Sequence, residues 1–452
     1  MNITIAGCGK VGTSVVSSLV TEGHDVTVID NNRKILAEVT DVYDVIGVFG
    51  NSVDSGILME AGADKADLFV ATTQSDELNM LTCFLAKKLG SKHTIARIRN
   101  IEYNQSSLEF VRQQLDLSSS INPEYLAAHE ISNIIKFPAA AKIESFSRRA
   151  FEIVEITLRQ NSMLHGLSLK EMRAKFKTKC LICSVQRNDE VTIPDGNFLL
   201  NSGDKIGIAA TPANIQEFLT EIGYIQKRIK SVMILGGSKT AIYLAKMLEA
   251  SGVSVKIIEQ NLEVCHQLSE ELPKSVIIHG DGAHQELLDE EGIASTDAFI
   301  SLTGMDEENI LISYYAASRG VPKVITKVSK DELFVMAEKL GLDSIITPKK
   351  IVADLIVRYA RAIENTKGSN VETLYKLMDD KCEALEFKVQ SGAKVTGIPL
   401  KYMKLKPMIL IAGIIRGNQP ITPTGDDIIS PGDRVIIFST DLHLNNLDDI
   451  LR

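Results

Sequence analysis

Three glycines and one aspartate carry the first chemistry legible in this chain. Gly7, Gly9 and Gly12 in IAGCGKVG are spaced G-x-G-x-x-G, and Asp30 closes the next apolar run, VTVID. In a strand–turn–helix context this is the dinucleotide fingerprint. Gly7 permits the tight turn, Gly9 lets backbone amides approach a pyrophosphate, and Gly12 lets helix and strand pack closely. The amides opening the helix, with its dipole, favour a phosphate. Asp30 can accept both ribose hydroxyls, and its charge disfavours a 2′-phosphate, so NAD is preferred over NADP. Thr73 and Gln74 in ATTQSDE leave a later strand on the ligand side of such a sheet. Arg97 and Arg99 in ARIRN stand at another strand end, where one guanidinium can pair with a phosphate.

The same rhythm returns past the midpoint in SVMILGGSKTAIYLAKMLEASGVSVKIIEQ, where Gly7 matches Gly236 and Asp30 matches Glu259 at one offset. Downstream, Asp67 falls on Asp297 and Asn79 on Asn309, and TIPDGNFLLNSGDKIGIA parallels ITPTGDDIISPGDRVIIF. The whole chain is therefore one composite unit used twice. The second turn departs from the first. Gly236 and Gly237 are followed by Ser238 at the second fingerprint position and Ala241 at the third. Alanine is tolerated there, whereas the Ser238 side chain sits where backbone should approach a pyrophosphate. Glu259 keeps an acid for a ribose. Lys239 either adds charge near a phosphate or is simply solvated. Two roles for the second copy stay open, a second nucleotide site or a unit retained for assembly.

The elements that must hold these residues follow from pattern. ITIA, DVTVID, DVIGVF, DLFVAT and HTIARI read as buried strands separated by helical segments such as SDELNMLTCFLAKKL. That alternation gives an α/β fold, a doubly wound parallel sheet in each half. From Pro123 a helix runs to a break at Pro138, with a second helical piece expected to about Arg149, and TPKKIVADLIVRYARAIE holds the same place in the second half. Strand-rich sequence with Gly-Asp turns follows each. The expected division is 1–122, 123–149 and 150–228, then 229–347, 348–378 and 379–452, as Rossmann-like domain, crossover helices and small α+β domain in turn.

Bulk composition sets bounds. A chain of 452 residues exceeds one core. Its net charge of −9 argues against a phosphate-gripping nucleic-acid face. No apolar run reaches a membrane span, no secretory signal is visible, and six scattered cysteines suit a reducing compartment, so a soluble cytosolic protein is expected. Cys180 and Cys183 read as buried strand thiols, and His279 and His284 lack cysteine partners for a metal. Nor does the sequence offer a clustered acid–base set facing a nicotinamide, which an oxidoreductase requires. It binds a nucleotide without displaying chemistry to perform on it. That is the profile of a sensor, in which ligand binding biases one arrangement of two lobes over another. An NAD-dependent oxidoreductase with an unrecognised substrate site, or a nucleotide-sensing regulator of another membrane transporter, are the rivals.

Across essentially its whole length the chain resembles the TrkA proteins of Trk potassium uptake systems. The carriers are MNITIAGCGKVG…VTVID, ADLFVATTQSDELNM, IARIRN, the helix after Pro123 and PDGNFLLNSGDKI, with their second-half partners. The resemblance implies tandem RCK-N and RCK-C domains in a cytoplasmic ring, a tetramer of chains, beneath a TrkH- or TrkG-type membrane subunit. It implies a non-enzymatic gating role, with NAD(H) and ATP or ADP bound in the RCK-N domains. By the same carry-over, Gly7, Cys8, Gly9, Lys10, Val11, Asp30, Thr73, Gln74 and Arg97 would line the first nucleotide site.

Overall fold

A computed structural model describes residues 1–100, 105–137, 142–146, 150–224, 228–365, 371–378, 381–440, 444 and 446–452. The chain divides into two compact units, each drawn from both halves of the sequence. One comprises residues 1–131, 231–340 and 346–360, and the other 132–230, 341–345 and 361–452.

The first unit holds two six-stranded sheets. The first runs Ile46–Phe49, Asp25–Asp30, Asn2–Ala6, Leu68–Ala71, His93–Arg97, Ser119–Ile121 in spatial order. Its neighbouring strands pair in parallel. This is the doubly wound order, with a switch point beside the central strand where ligands bind. Leu68–Ala71 is buried along its whole length, as a central parallel strand covered on both faces must be. The second sheet repeats the order as Val276–His279, Ser254–Glu259, Ser231–Leu235, Ala298–Ser301, Lys323–Lys327, Ile345–Ile346. Apolar clusters back the two sheets, around Phe69, Met80 and Cys83 in the first and Phe299, Leu288 and Ile312 in the second.

Buried polar staples recur at the repeat positions. Asn79 is fully buried. Its Oδ1 accepts from the Thr73 amide at 2.7 Å, and its Nδ2 donates to the Arg97 carbonyl at 2.9 Å. Asn309 does the same with Thr303 and Lys327 at 3.0 Å each. Each asparagine thus ties the end of the fourth strand to the end of the fifth, fixing the loop that faces the ligand side.

The second unit holds two five-stranded sheets, both mixed in sequence order and paired antiparallel. One runs Glu190–Thr192, Leu181–Arg187, Lys205–Ala210, Phe151–Thr157, Lys142–Phe146. The other runs Val371–Leu377, Cys382–Lys388, Arg434–Ser439, Ile409–Arg416, Gln419–Ile421. Phe146, Phe151, Cys183, Met378, Cys382 and Phe438 share one core joining them. Arg361 meets Glu383 in a buried pair at 3.0 Å. Arg187 grips Asp204 at 2.7 Å, and Arg416 repeats the grip on Asp433. Cys180 and Cys183 are free buried thiols.

One expectation is corrected. The helix Pro123–Lys136 forms, but no second helical piece follows among the described residues, where Lys142–Phe146 is a strand instead. Residues 138–141 and 147–149 of that expectation lie outside the described residues. In the second half Pro348–Asn365 is likewise a single helix, followed by the strand Val371–Leu377. A short segment beyond a helix-breaking proline gains a full ladder by pairing with Phe151–Thr157, which outweighs a marginal helical turn. Among the described residues no helix is long and apolar enough to cross a membrane.

The Asn79 staple is directly testable. Asn79→Ala strands the Thr73 amide and the Arg97 carbonyl, so it should cost about 1–3 kcal/mol. Denaturant unfolding checks this, and an unchanged midpoint would contradict the assigned role.

Candidate nucleotide site

Two crevices open on the ligand sides of the sheets. The larger, about 930 Å³, is lined by Gly7, Gly9, Lys10, Val11, Asp30, Thr73, Gln74 and Arg97, which the sequence singled out. Asn32, Asn51, Arg99, Glu124, Lys327 and Lys349 line it as well. Its size suits a cofactor.

The floor is built by the carboxylate of Asp30. One oxygen accepts from the Cys8 amide at 2.7 Å and the other from the Asn32 amide at 2.8 Å. The acid expected to meet a ribose therefore also holds the glycine turn in shape. Cys8 contributes only that amide. Its thiol is buried away from the crevice, and burial, with Asp30 beside it, pushes it up to about 12. Gly12 does not line the crevice either. A Cβ there would lie 1.9 Å from the Gly7 carbonyl oxygen, so its place is the helix–turn contact. Gly9 is the opposite case. It caps the helix Lys10–Thr21 with no side-chain bond to the first-turn amides, and a Cβ there would meet nothing within 4 Å. No side chain caps those amides, which leaves them as donors for a phosphate.

Arg97 donates to the Thr73 carbonyl, while its buried Nε has no partner among the described residues. Burial draws the Arg97 guanidinium down, with repulsion from Arg99 adding to it. Arg99 reaches Glu124 at 2.8 Å, at the start of the helix Pro123–Lys136.

The second glycine turn supplies an unforeseen wall. Lys239, expected at a second nucleotide site, lines the first crevice, as do Thr240, Lys327 and Ser329. Burial pulls the Lys327 ammonium below its usual range, and nearby Lys10 pulls the same way against Asp306 and Glu124. Lys10, Arg97, Lys239 and Lys327 thus converge with no carboxylate in salt-bridge reach among the described residues, while Lys349 is paired with Asp331 at 2.8 Å. Lys327 escaped sequence reasoning, though it stands where the repeat puts Arg97, which was the available signal.

The smaller crevice, about 380 Å³, is lined by Gly236, Gly237, Ser238 and Glu259 among others. Glu259 repeats the Asp30 device, accepting from the Gly237 amide at 2.6 Å and the Asn261 amide at 2.7 Å. Ser238 caps the helix Lys239–Ala250 by accepting from the Ala241 amide, which takes one first-turn donor out of use. Among the described residues no group of three or more metal-ligating side chains converges anywhere.

Residues 3–115 and 232–348 match the TrkA-N domain model, and residues 153–223 and 384–452 match the TrkA-C domain model. The chain belongs to the TrkA family. It is 31% identical to the Trk system potassium uptake protein TrkA of Haemophilus influenzae, over 98% of this chain and 96% of that one. It is 30% identical to the Trk system potassium uptake protein TrkA homolog of Archaeoglobus fulgidus, over 100% of both. Among solved structures, the GsuK RCK domain superposes with a TM-score of 0.63 at 16% identity, covering 97% of this chain and 92% of that one. A GsuK channel bound to NAD gives 0.63 over 97% of this chain and 77% of that one. These likenesses agree with the α/β tandem architecture read from the TrkA-like sequence.

The two glycines separate packing from ligand contact. Gly12→Ala should destabilise the fold by about 1–3 kcal/mol through overpacking against the Gly7 carbonyl. Gly9→Ala should leave the thermal midpoint within a degree or two, since its φ of −68° and open surroundings accept a methyl group. Equal losses in a thermal melt would refute the assignment.

Proposed function

We propose that this chain is the non-enzymatic, nucleotide-sensing subunit of a Trk-type potassium uptake system. It takes NAD(H), or ATP and ADP, in the larger crevice and controls a TrkH- or TrkG-type membrane subunit. The observation that carries the reading is the crevice itself. A glycine turn with uncapped helix amides and an acid at the strand end faces cations from both halves of the chain that no carboxylate meets in salt-bridge reach among the described residues.

The physics of control follows from that composite wall. Phosphates seated on the helix amides that follow Gly9 lie within a set of cations that includes Lys10 and Arg97 from one half and Lys239 and Lys327 from the other. A ligand that bridges them favours the arrangement in which the cations are close, and only that differential affinity can do work on a partner. The family's potassium uptake relatives and the NAD- and ADP-bound GsuK channels support a nucleotide-governed conductance. In this reading the working form is a ring of chains, a tetramer, held at the inner face of the plasma membrane through its membrane partner.

Gly9→Ala and Asp30→Ala should each weaken ATP and NAD binding at least about tenfold, the loss of one charge-assisted bond or its steric equivalent. Potassium flux through the reconstituted complex should then lose its nucleotide response. A folded variant with unchanged control would sink the proposal, and steady NADH turnover with hydroxy or keto acids would favour an oxidoreductase.

Lys327 supplies a pH signature. Its ammonium is drawn down in the free protein, and bound phosphates must raise it again. Binding therefore takes up a proton between the two values, and ATP affinity falls as pH rises through the lower one. Titration calorimetry in buffers of different ionisation enthalpy should register this uptake, and Lys327→Arg should abolish it because arginine stays charged. Uptake of the same size in the variant would contradict the role given to Lys327.

A further inference from the structure

An asymmetric contact joins the two halves of the first unit beside the larger crevice. Asn122 stands at the start of the helix Pro123–Lys136, where its Oδ1 accepts from the Tyr125 amide at 2.9 Å. Its Nδ2 reaches into the other half and donates to the Tyr243 hydroxyl at 3.0 Å. The Tyr125 and Tyr243 rings meet edge to face, with centroids 5.6 Å apart. Burial raises the Tyr243 phenol against the opposing effect of the Asn122 bond, so the hydroxyl stays neutral. Pro123 and Glu124 line the crevice on one side of this contact, and Lys239 and Thr240 line it on the other. Tyr243 itself does not line it. The duplication supplies a control. Ser14 stands where the repeat puts Tyr243, and Thr347 where it puts Asn122. The buried Thr347 Oγ has no partner among the described residues, so the bond is made on one side and not repeated on the other.

We propose that Tyr243 is a positioning residue for polyphosphate, which, held by Asn122, keeps Lys239 on the wall of the larger crevice. Tyr243 lies one turn beyond Lys239 in the helix Lys239–Ala250, and side chains four apart share a helix face. Fixing Tyr243 therefore fixes the helix start that carries Lys239 and Thr240. A lysine on a loosely held helix end has to be ordered when a phosphate arrives, and that cost subtracts from affinity. The Asn122 bond removes part of the cost before the ligand binds. Bound phosphate and the Asn122–Tyr243 bond thus favour the same arrangement of the two halves, and each strengthens the other. The inference rests on the larger crevice being the nucleotide site.

Calorimetric titration of the full chain with ADP tests this. Tyr243→Phe keeps the ring against Tyr125 and loses the hydroxyl, and should weaken ADP about fivefold, the effect of one neutral hydrogen bond. Asn122→Thr imports the residue found at position 347 and keeps a capping oxygen. It should weaken ADP to the same extent, and the two changes together no more than either alone. In a Lys239→Ala background, Tyr243→Phe should leave the ADP affinity unchanged. A loss of similar size in that background would show that the tyrosine merely stiffens the fold, and would overturn the proposal. Circular dichroism at the titration temperature confirms that each variant is folded. ADP binding that needs Asp30 but ignores Tyr243→Phe would sink this inference alone. No ADP binding by the wild type, or equal binding by Asp30→Ala, would bring down the reading of the larger crevice and this inference with it.

Discussion

Cations gathered into one crevice outside salt-bridge reach of its carboxylates repel one another, and a fold that holds them there has use for a polyanion. Lys10, Arg97, Lys239 and Lys327 meet in that condition at the larger crevice. Burial lowers the affinity of Lys327 for its proton, and Lys10 adds to it against the pull of Asp306 and Glu124. Everything around the crevice serves to keep these charges in place. Asn79 and Asn309 pin the strand ends that bear Arg97 and Lys327. Asp30 pins the turn from which Lys10 springs, and Glu259 pins the turn that leads to Lys239. Phosphate is the group that relieves such a cluster, through charge-assisted bonds stronger than neutral ones.

The duplication explains both the likeness and the inequality of the halves. Positions that hold the fold are repeated almost atom for atom. Asp67 accepts from the Asn2 amide and Asp297 from the Ser231 amide, each joining the central strand to its neighbour. Positions that line the two crevices have diverged, Ser238 standing for Gly9, Asp281 for Asn51 and Glu308 for Leu78. The second half has kept its scaffold, lent its lysines to the first crevice and acquired carboxylates in its own.

Much of this was legible in the sequence. The doubly wound parallel sheets and the glycine turn followed from apolar runs of the right length and from the fingerprint in its strand–turn–helix setting. Asp30, Thr73 and Arg97 were legible because each sits at a strand's carboxyl end, where topology alone decides the direction a residue faces. Lys239 was expected beside the crevice of its own turn, and it lines the larger one, because strand and helix periodicity say nothing about what packs opposite a loop. Cys8 was placed at the site by resemblance, and its amide is held there by Asp30, while Gly12 was read as a packing glycine, in keeping with its closeness to the Gly7 carbonyl. The strand Lys142–Phe146 was missed because its merit lies in a ladder with a neighbour, which a local helical pattern cannot reveal.

In the proposed reading the larger crevice, with lysines from the second half, is the one polyphosphate site of each chain. Equilibrium dialysis with labelled ADP at increasing concentration measures this directly. Binding should saturate at one ADP per chain and fall away when Lys239 and Lys327 are both replaced by alanine. Two equivalent ADP sites per chain, or a single site indifferent to both lysines, would contradict it.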